Sequence, residues 1–289
     1  MMIVARTIDE FRKLRSELPS PLGFVPTMGF LHEGHIALVH QSVDENKATV
    51  VSLFVNPTQF APTEDLANYP RNEESDFRLL EAAGANVVFA PQAEEMYADN
   101  HETWVVLDHL TRRLEGTIRP THFQGVATVV SQLFHIVEPQ SAYFGQKDAQ
   151  QVLVIDRMIR DLHYPVLLRV GETVREPDGL AMSSRNTYLS PEERLAGPVL
   201  RRSLDLAEEL WLEGERDAER IRKEMTDLIE QEPLARVDYV SIADTRTLDE
   251  IHVIDRKALV SLAVRIGKTR LIDNAILPPG EPLIARRQP

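Results

Sequence analysis

The stretch Leu22-Gly23-Phe24-Val25-Pro26-Thr27-Met28-Gly29-Phe30-Leu31-His32-Glu33-Gly34-His35-Ile36-Ala37-Leu38-Val39 passes from a short apolar run, through a glycine turn, into an apolar pattern of helical period. That succession reads as a β-strand feeding an α-helix. His32 and His35 are three apart at the start of that helix, so the two imidazoles share one face beside its free backbone N–H groups. A helix start carries partial positive charge, and the site suits an anion, above all a polyphosphate.

The same alternation continues outward from this stretch. Thr49–Val55 is a strand candidate rich in β-branched residues, Asp76–Ala83 a helix stopped by Gly84, and Asn86–Ala90 a buried strand closed by Pro91. A helix over Gly125–Val137, a strand over Ala142–Phe144, a helix from Asp148 to Leu162 and a strand over Val166–Val170 follow. Repeated strand–helix units predict an α/β fold, a Rossmann-like, mostly parallel sheet covered on both faces. The pattern then changes. Two long helices, Pro191–Leu212 and Glu215–Ile229, precede strands over Val237–Ile242, Ala258–Val264 and Leu271–Ile276, which predicts a smaller α+β domain. The expected division is 1–174 and 175–289.

Composition narrows the functions open to this chain. Thirty-two Lys and Arg against 45 Asp and Glu leave a net charge of −13, which argues against nonspecific contact with nucleic acid or an anionic membrane. Any phosphate site is then a local cationic pocket in an acidic shell. With no cysteine, disulfides, thiolate metal sites and a cysteine nucleophile are excluded. No apolar run approaches the roughly 18 residues that span a bilayer, and Met1–Arg6 is too short an apolar stretch for a signal peptide, so a cytoplasmic protein is expected. No two glycines are two apart, which rules out the G-x-G-x-x-G dinucleotide fingerprint. Gly267-Lys268-Thr269 lacks the earlier glycine of a P-loop, since Leu262 stands there. His32-Glu33-Gly34-His35 is one residue short of the zinc-protease H-E-x-x-H.

Four segments, each at the end of a predicted strand, carry the chemistry. Met28–His35 is the first, with glycines that let the backbone approach a ligand; two surface histidines beside a turn is its plain alternative. Asn56-Pro57-Thr58-Gln59 offers neutral amide donors and acceptors, though Asn56 is also a simple turn cap. Residues 61–71 continue it as a loop that reads equally as a mobile lid or as plain solvated chain. In Gly145-Gln146-Lys147-Asp148-Ala149-Gln150-Gln151, Lys147 is a flexible point charge suited to phosphate, Asp148 a helix cap, and Gln151 lies one turn on. Met182-Ser183-Ser184-Arg185 combines two hydroxyls with a guanidinium, or just makes a turn.

Taken in order, Pro26–His35, Phe54–Phe60, Tyr143–Gln151 and Gly179–Asn186 give the chain a resemblance to the pantothenate synthetase (pantoate–β-alanine ligase) family over nearly its whole length. That family lies in the nucleotidyltransferase superfamily related to class I aminoacyl-tRNA synthetases, whose H-x-G-H signature His32–His35 resembles. The resemblance implies an ATP-dependent ligase that condenses (R)-pantoate with β-alanine through pantoyl adenylate, with magnesium, and releases AMP and pyrophosphate. Domain 1–174 would bind ATP and pantoate, and domain 175–289 would act as a lid. Met28, Gly29, Phe30, Leu31, His32, Glu33, Gly34 and His35 would line the ATP site, with His35 the proton-donating catalytic residue. Gly145, Gln146, Lys147 and Asp148, the backbone of Val174, and Met182, Ser183, Ser184 and Arg185 would also bind ATP. Gln59 and Gln151 would hold pantoate, and Gln59 would lie near β-alanine. No residue set identifies the magnesium ligands. A homodimer is implied by the resemblance, not by any patch in the sequence. Gln146 stands where the family commonly has glutamate, and Gln124 where arginine is frequent.

Two other functions compete with ligation. An adenylyltransferase would keep the nucleotide in its product, and α-labelled ATP separates the two by the fate of its label. A nucleotide-binding regulatory module would release no pyrophosphate, and it has no need of His32, His35, Lys147 and Arg185 together.

Overall fold

The computed structural model describes residues 2–61 and 66–284. Residues 62–65 of the loop expected over 61–71 lie outside the described residues, and Leu66–Asn68 is a 3-10 turn. The first part of the chain alternates strand and helix, as its pattern predicts from β2 on: β1 (Ile3–Ala5), α1 (Ile8–Arg15), β2 (Leu22–Thr27), α2 (Glu33–Glu45), β3 (Ala48–Leu53), α3 (Glu73–Ala82) and β4 (Val87–Phe89). Short helices α4 (Ala93–Met96) and α5 (Glu115–Ile118) lead to α6 (His122–Val137), β5 (Ser141–Gly145), α7 (Ala149–Asp161) and β6 (Leu167–Gly171). Six strands line up as β1-β4-β3-β2-β5-β6, and every pairing is parallel. Central parallel strands are covered on both faces, so they read as unbroken apolar runs; Val50, Val51, Val87 and Val88 are all buried.

The chain steps outward from β2 through β3 to β4, then returns to lay β5 on the other side of β2. The point where strand order reverses is therefore between β2 and β5, and open α/β sheets bind ligands beyond the carboxyl ends of strands at that point. β2 ends at Thr27, β3 at Leu53 and β5 at Gly145, each just before a segment singled out from the sequence.

β1 and α1 have no counterpart among the sequence expectations. Three residues are too few to show a period, and α1 declares itself through a capping box instead, with Thr7 accepting from Glu10 N–H. Its one fully buried side chain, Phe11, meets Phe89 of β4 at 5.2 Å between ring centroids. α6 begins at His122, three residues before the expected Gly125.

Contacts divide the described residues into two compact units, one running to Gly145 with Val154–Gly171, the other made of Gln146–Leu153 with residues 172–284. This differs from the expected division at 174/175, because the first turn of α7 groups with the second unit. In that unit a hairpin pairs Arg175 with Ala181, followed by a 3-10 turn over Ser184–Tyr188. The helix expected over Pro191–Leu212 is two, α8 (Pro191–Ala196) and α9 (Val199–Leu212), because Pro198 has no N–H to continue the ladder. α10 (Ala218–Glu230) starts later than expected, where the Asp217 carboxylate accepts from Glu219 and Arg220 N–H. β7 (Ala235–Asp244), β8 (Ala258–Ile266) and β9 (Thr269–Leu277) form an antiparallel sheet in that order. Leu204, Ile221, Met225 and Ile229 pack on Val260, Leu262 and Val264, giving this unit its own core. Among the described residues no helix is long and apolar enough to cross a membrane.

Candidate active site

Beyond the end of β2 the backbone turns sharply. Gly29 and Phe30 both have positive φ, 79° and 51°. A carboxylate holds that turn: Asp76 of α3, 3 % exposed, accepts Phe30 N–H on Oδ2 and Leu31 N–H on Oδ1, both at 2.8 Å. A Cβ on Gly29 would stand 3.0 Å from Asp76 Oδ2 in addition to being strained. The sequence marks Asp76 only as part of a helix, since its partners lie 46 and 45 residues back.

His32 is itself the N-cap of α2. Its Nδ1 accepts Gly34 N–H at 3.2 Å, and the Nδ1 of His35 accepts His32 N–H at 3.3 Å. The helix start is thus less open than expected, since the imidazoles take up backbone donors there. The tautomer follows from these bonds. A backbone N–H can only donate, so each Nδ1 holds a lone pair and each ring carries its proton on Nε2. The rings lie 4.1 Å apart between centroids, giving two N–H donors side by side at the positive end of a helix.

Gln59 comes to the same place. It ends a 3-10 turn, Pro57–Gln59, after β3, is 8 % exposed, and its Nε2 contacts Met28 Sδ at 2.8 Å. Its main-chain carbonyl accepts from His122 Nδ1 at 2.9 Å and from Arg119 at 3.3 Å. Gly125 of α6 abuts this turn so closely that a Cβ would fall 2.6 Å from the Thr58 carbonyl and 2.7 Å from Gln59 N. His122, Arg119 and Gly125 are thus part of the site's frame. No local pattern in the sequence marks them, and only packing reveals them.

The second unit gathers the remaining candidates. Gln146–Asp148 forms a 3-10 turn, and Lys147 Nζ lies 3.5 Å from Asp148 Oδ1. Gln151 lies in the first turn of α7, its third residue. Asn274 of β9, 4 % exposed, donates to the Gln146 and Lys147 carbonyls at 3.0 and 2.9 Å, fixing the main chain that carries Lys147. Beside it, Asp273 takes both amino groups of Arg175, at 2.6 and 3.1 Å. β9 also packs on the Ser184–Tyr188 turn. Met182 N–H donates to the Val174 carbonyl at 2.9 Å, so these two candidates are hairpin partners and that carbonyl is already engaged. Ser183 caps the following turn by accepting Arg185 N–H. Arg175 and Arg194 sit on carboxylates, whereas among the described residues the Arg185 guanidinium has none.

Met28–His35 and Gln59 therefore assemble in one unit, and Lys147, Gln151, Val174 and Met182–Arg185 in the other. Among the described residues no group of three or more His, Asp or Glu side chains is placed to hold a metal ion.

A parallel sheet with a glycine turn and a helix start beyond its switch point has the architecture of an α/β enzyme that binds its ligand at the carboxyl ends of the strands. The family model for pantoate–β-alanine ligase matches residues 3–276. Pantothenate synthetase from Herpetosiphon aurantiacus is 55% identical over 277 residues, 96% of this chain and 100% of its own length. That from Thermotoga petrophila is 51% identical over 279 residues, 96% of this chain and all of its own. The crystal structure of pantothenate synthetase from Thermus thermophilus superposes with a TM-score of 0.90 at 47% identity, over 94% of this chain and 98% of that one. Pantoate-β-alanine ligase from Francisella tularensis, complexed with β-γ ATP and β-alanine, gives a TM-score of 0.78 at 32% identity, over 95% and 97%. The chain belongs to the pantoate–β-alanine ligase family, and it is an enzyme of that class.

Proposed function

We propose that the chain makes pantothenate from (R)-pantoate and β-alanine in two steps on one bound ATP. A pantoate carboxylate oxygen attacks the α-phosphorus, the bond to the β-phosphate oxygen breaks, and pyrophosphate leaves. The β-alanine amine then attacks the acyl carbon of pantoyl adenylate, loses a proton, and AMP departs with the electrons of the broken acyl–oxygen bond. Adenylation is needed because a free carboxylate has oxide as its leaving group. The observation that carries this reading is the geometry of the paired histidines: backbone N–H groups donate to both Nδ1 atoms, which leaves each Nε2 as the ring's donor at the positive end of α2.

In this proposal His35 donates its Nε2 hydrogen bond to the charge growing on the phosphorus centre, with His32 beside it and Met28–Gly34 lining the nucleotide. Gly145–Asp148, Val174 and Met182–Arg185 bind the same ATP, Lys147 and Arg185 supplying positive charge. Gln59 and Gln151 hold pantoate, and Gln59 also lies near β-alanine. Magnesium enters with ATP as substrate: a hard cation takes oxygen ligands, and the triphosphate brings its own. The C-terminal unit acts as a lid, and the working form is a cytoplasmic homodimer. Incubation of the protein with ATP, magnesium, pantoate and β-alanine tests the reading. Pantothenate and free AMP in equal amounts by mass spectrometry are expected, whereas a stable adenylylated product or no pyrophosphate overturns it.

A further inference from the structure

The orientation of the Gln59 side-chain amide is set from outside the substrate site. Asn56, 1 % exposed, stands behind it. Thr58 N–H donates to Asn56 Oδ1 at 3.3 Å, and Asn56 Nδ2 donates to the Gly125 carbonyl at 3.1 Å. A backbone N–H cannot accept and a carbonyl cannot donate, so these two bonds leave the Asn56 amide only one orientation. Two hydroxyls reinforce it at Oδ1, Tyr97 at 2.9 Å and Thr58 at 2.9 Å. The remaining Asn56 Nδ2 hydrogen goes to Gln59 Oε1 at 3.2 Å. Gln59 is left with its Nε2 on the opposite side, against Met28 Sδ at 2.8 Å.

We propose that Tyr97 is a positioning residue which, through Asn56, locks Gln59 so that this position offers the acid substrate a hydrogen-bond donor and never an acceptor. The proposal rests on the reading that Gln59 binds pantoate. A hydroxyl, carbonyl or carboxylate oxygen is accepted at that point, while a protonated amine meets an N–H and is refused. Specificity of this kind arises because a mismatched group leaves a buried polar atom without a partner. The Tyr97 ring is held for the task by His101, 5.0 Å away edge to face, and by Phe54 at 6.4 Å. Burial pushes the Tyr97 phenol above its ordinary pKa, so the hydroxyl keeps its proton and stays a donor.

The experiment measures pyrophosphate release for Gln59→Ala, Gln59→Glu and Tyr97→Phe, with KM for pantoate and for ATP determined separately from kcat. Gln59→Ala and Gln59→Glu are expected to raise the pantoate KM, the glutamate as much as the alanine because a carboxylate has no hydrogen to donate. Tyr97→Phe is expected to raise it about tenfold, the effect of one displaced hydrogen bond to substrate, with kcat and the ATP KM within about twofold of the parent. A merely structural phenol would instead lower kcat by reducing the folded fraction. Should Tyr97→Phe not fold, Thr58→Val removes the other hydroxyl from Asn56 Oδ1 and is read in the same way. An unchanged pantoate KM in Gln59→Ala removes Gln59 from acid binding. An elevated KM there, with Tyr97→Phe unchanged or altered only in kcat, overturns the relay alone. Parent-like behaviour of Gln59→Glu overturns the donor orientation.

Discussion

Hydrogen-bond direction, settled by backbone groups that can act in only one sense, assigns most of the chemistry at the residue scale. His35 is the sharpest case. Its Nδ1 is occupied by His32 N–H, so its Nε2 carries the proton that the proposed adenylation step needs. Removing one preorganised donor to developing charge costs on the order of 10²-fold in rate. His35→Ala should therefore lower pyrophosphate formation by about that factor or more, and near-normal turnover in a coupled pyrophosphate assay would remove the assignment. Asp76 makes a second prediction possible. Each of its carboxylate oxygens accepts one backbone N–H of the Gly29–Leu31 turn. Asp76→Asn keeps the shape but turns an NH2 group toward one of those N–H groups. An unpaired buried donor costs roughly 1–3 kcal/mol. The variant should melt earlier and bind ATP more weakly, and thermal melts with the ATP KM check both. Parent-like values would mean that the turn does not depend on the carboxylate.

Among elements, the decisive contact is the approach of α6 to the Pro57–Gln59 turn. Gly125 lets helix and turn touch backbone to backbone, and Asn56 bridges them by donating to the Gly125 carbonyl. Gly125→Ala would place a methyl 2.6 Å from main-chain atoms of Thr58, neither of which is a flexible side-chain end. Alanine is the better helix former by about 1 kcal/mol, but overpacking of this kind costs roughly 1–3 kcal/mol and shifts the backbone. The expected outcome is lower thermal stability together with a raised KM for pantoate, because Gln59 moves with the turn. A stability gain in differential scanning calorimetry would show that the turn yields without loss. The second unit uses the same device in another form, with Asn274 reaching from β9 to the Gln146 and Lys147 carbonyls.

For the whole molecule, what the sequence reveals and what it hides separate by distance along the chain. Five of the six parallel strands, the three-stranded sheet and the glycine turn at Met28–His35 rest on periodicity and on neighbours a few residues apart, and they are legible, whereas β1 is too short to show a period. Asp76 lies 46 residues from its partner Phe30, Asn274 lies 127 from Lys147, and Tyr97 lies 41 from Asn56, with no local pattern to mark any of them. The helix break at Pro198 and the late start of α10 escape a reading by period, because a cap or a missing N–H outweighs an unbroken apolar pattern. One more long-range cluster predicts how the sheet unit responds to alkali. Tyr143 of β5 is fully buried; its hydroxyl donates to Glu45 at 2.9 Å and accepts from Asn46 at 2.6 Å, while Arg169 of β6 meets the same Glu45 at 3.2 Å. Burial foremost, opposed by Asn46 and helped by the Glu45 charge, pushes the phenol up to about 12. In the unfolded chain a tyrosine ionises near pH ~10. The folded state therefore holds this proton more tightly, and its contribution is fully present below pH ~10 and is lost as pH rises through about 12. Roughly 2–3 kcal/mol is at stake, at 1.36 kcal/mol for each pH unit between the two values. Tyr143→Phe should be less stable at neutral pH, since Asn46 and Glu45 lose a partner, yet its urea midpoint should fall less steeply than the parent's over that alkaline window. Parallel curves for the two proteins would mean that the phenol does not couple folding to alkali.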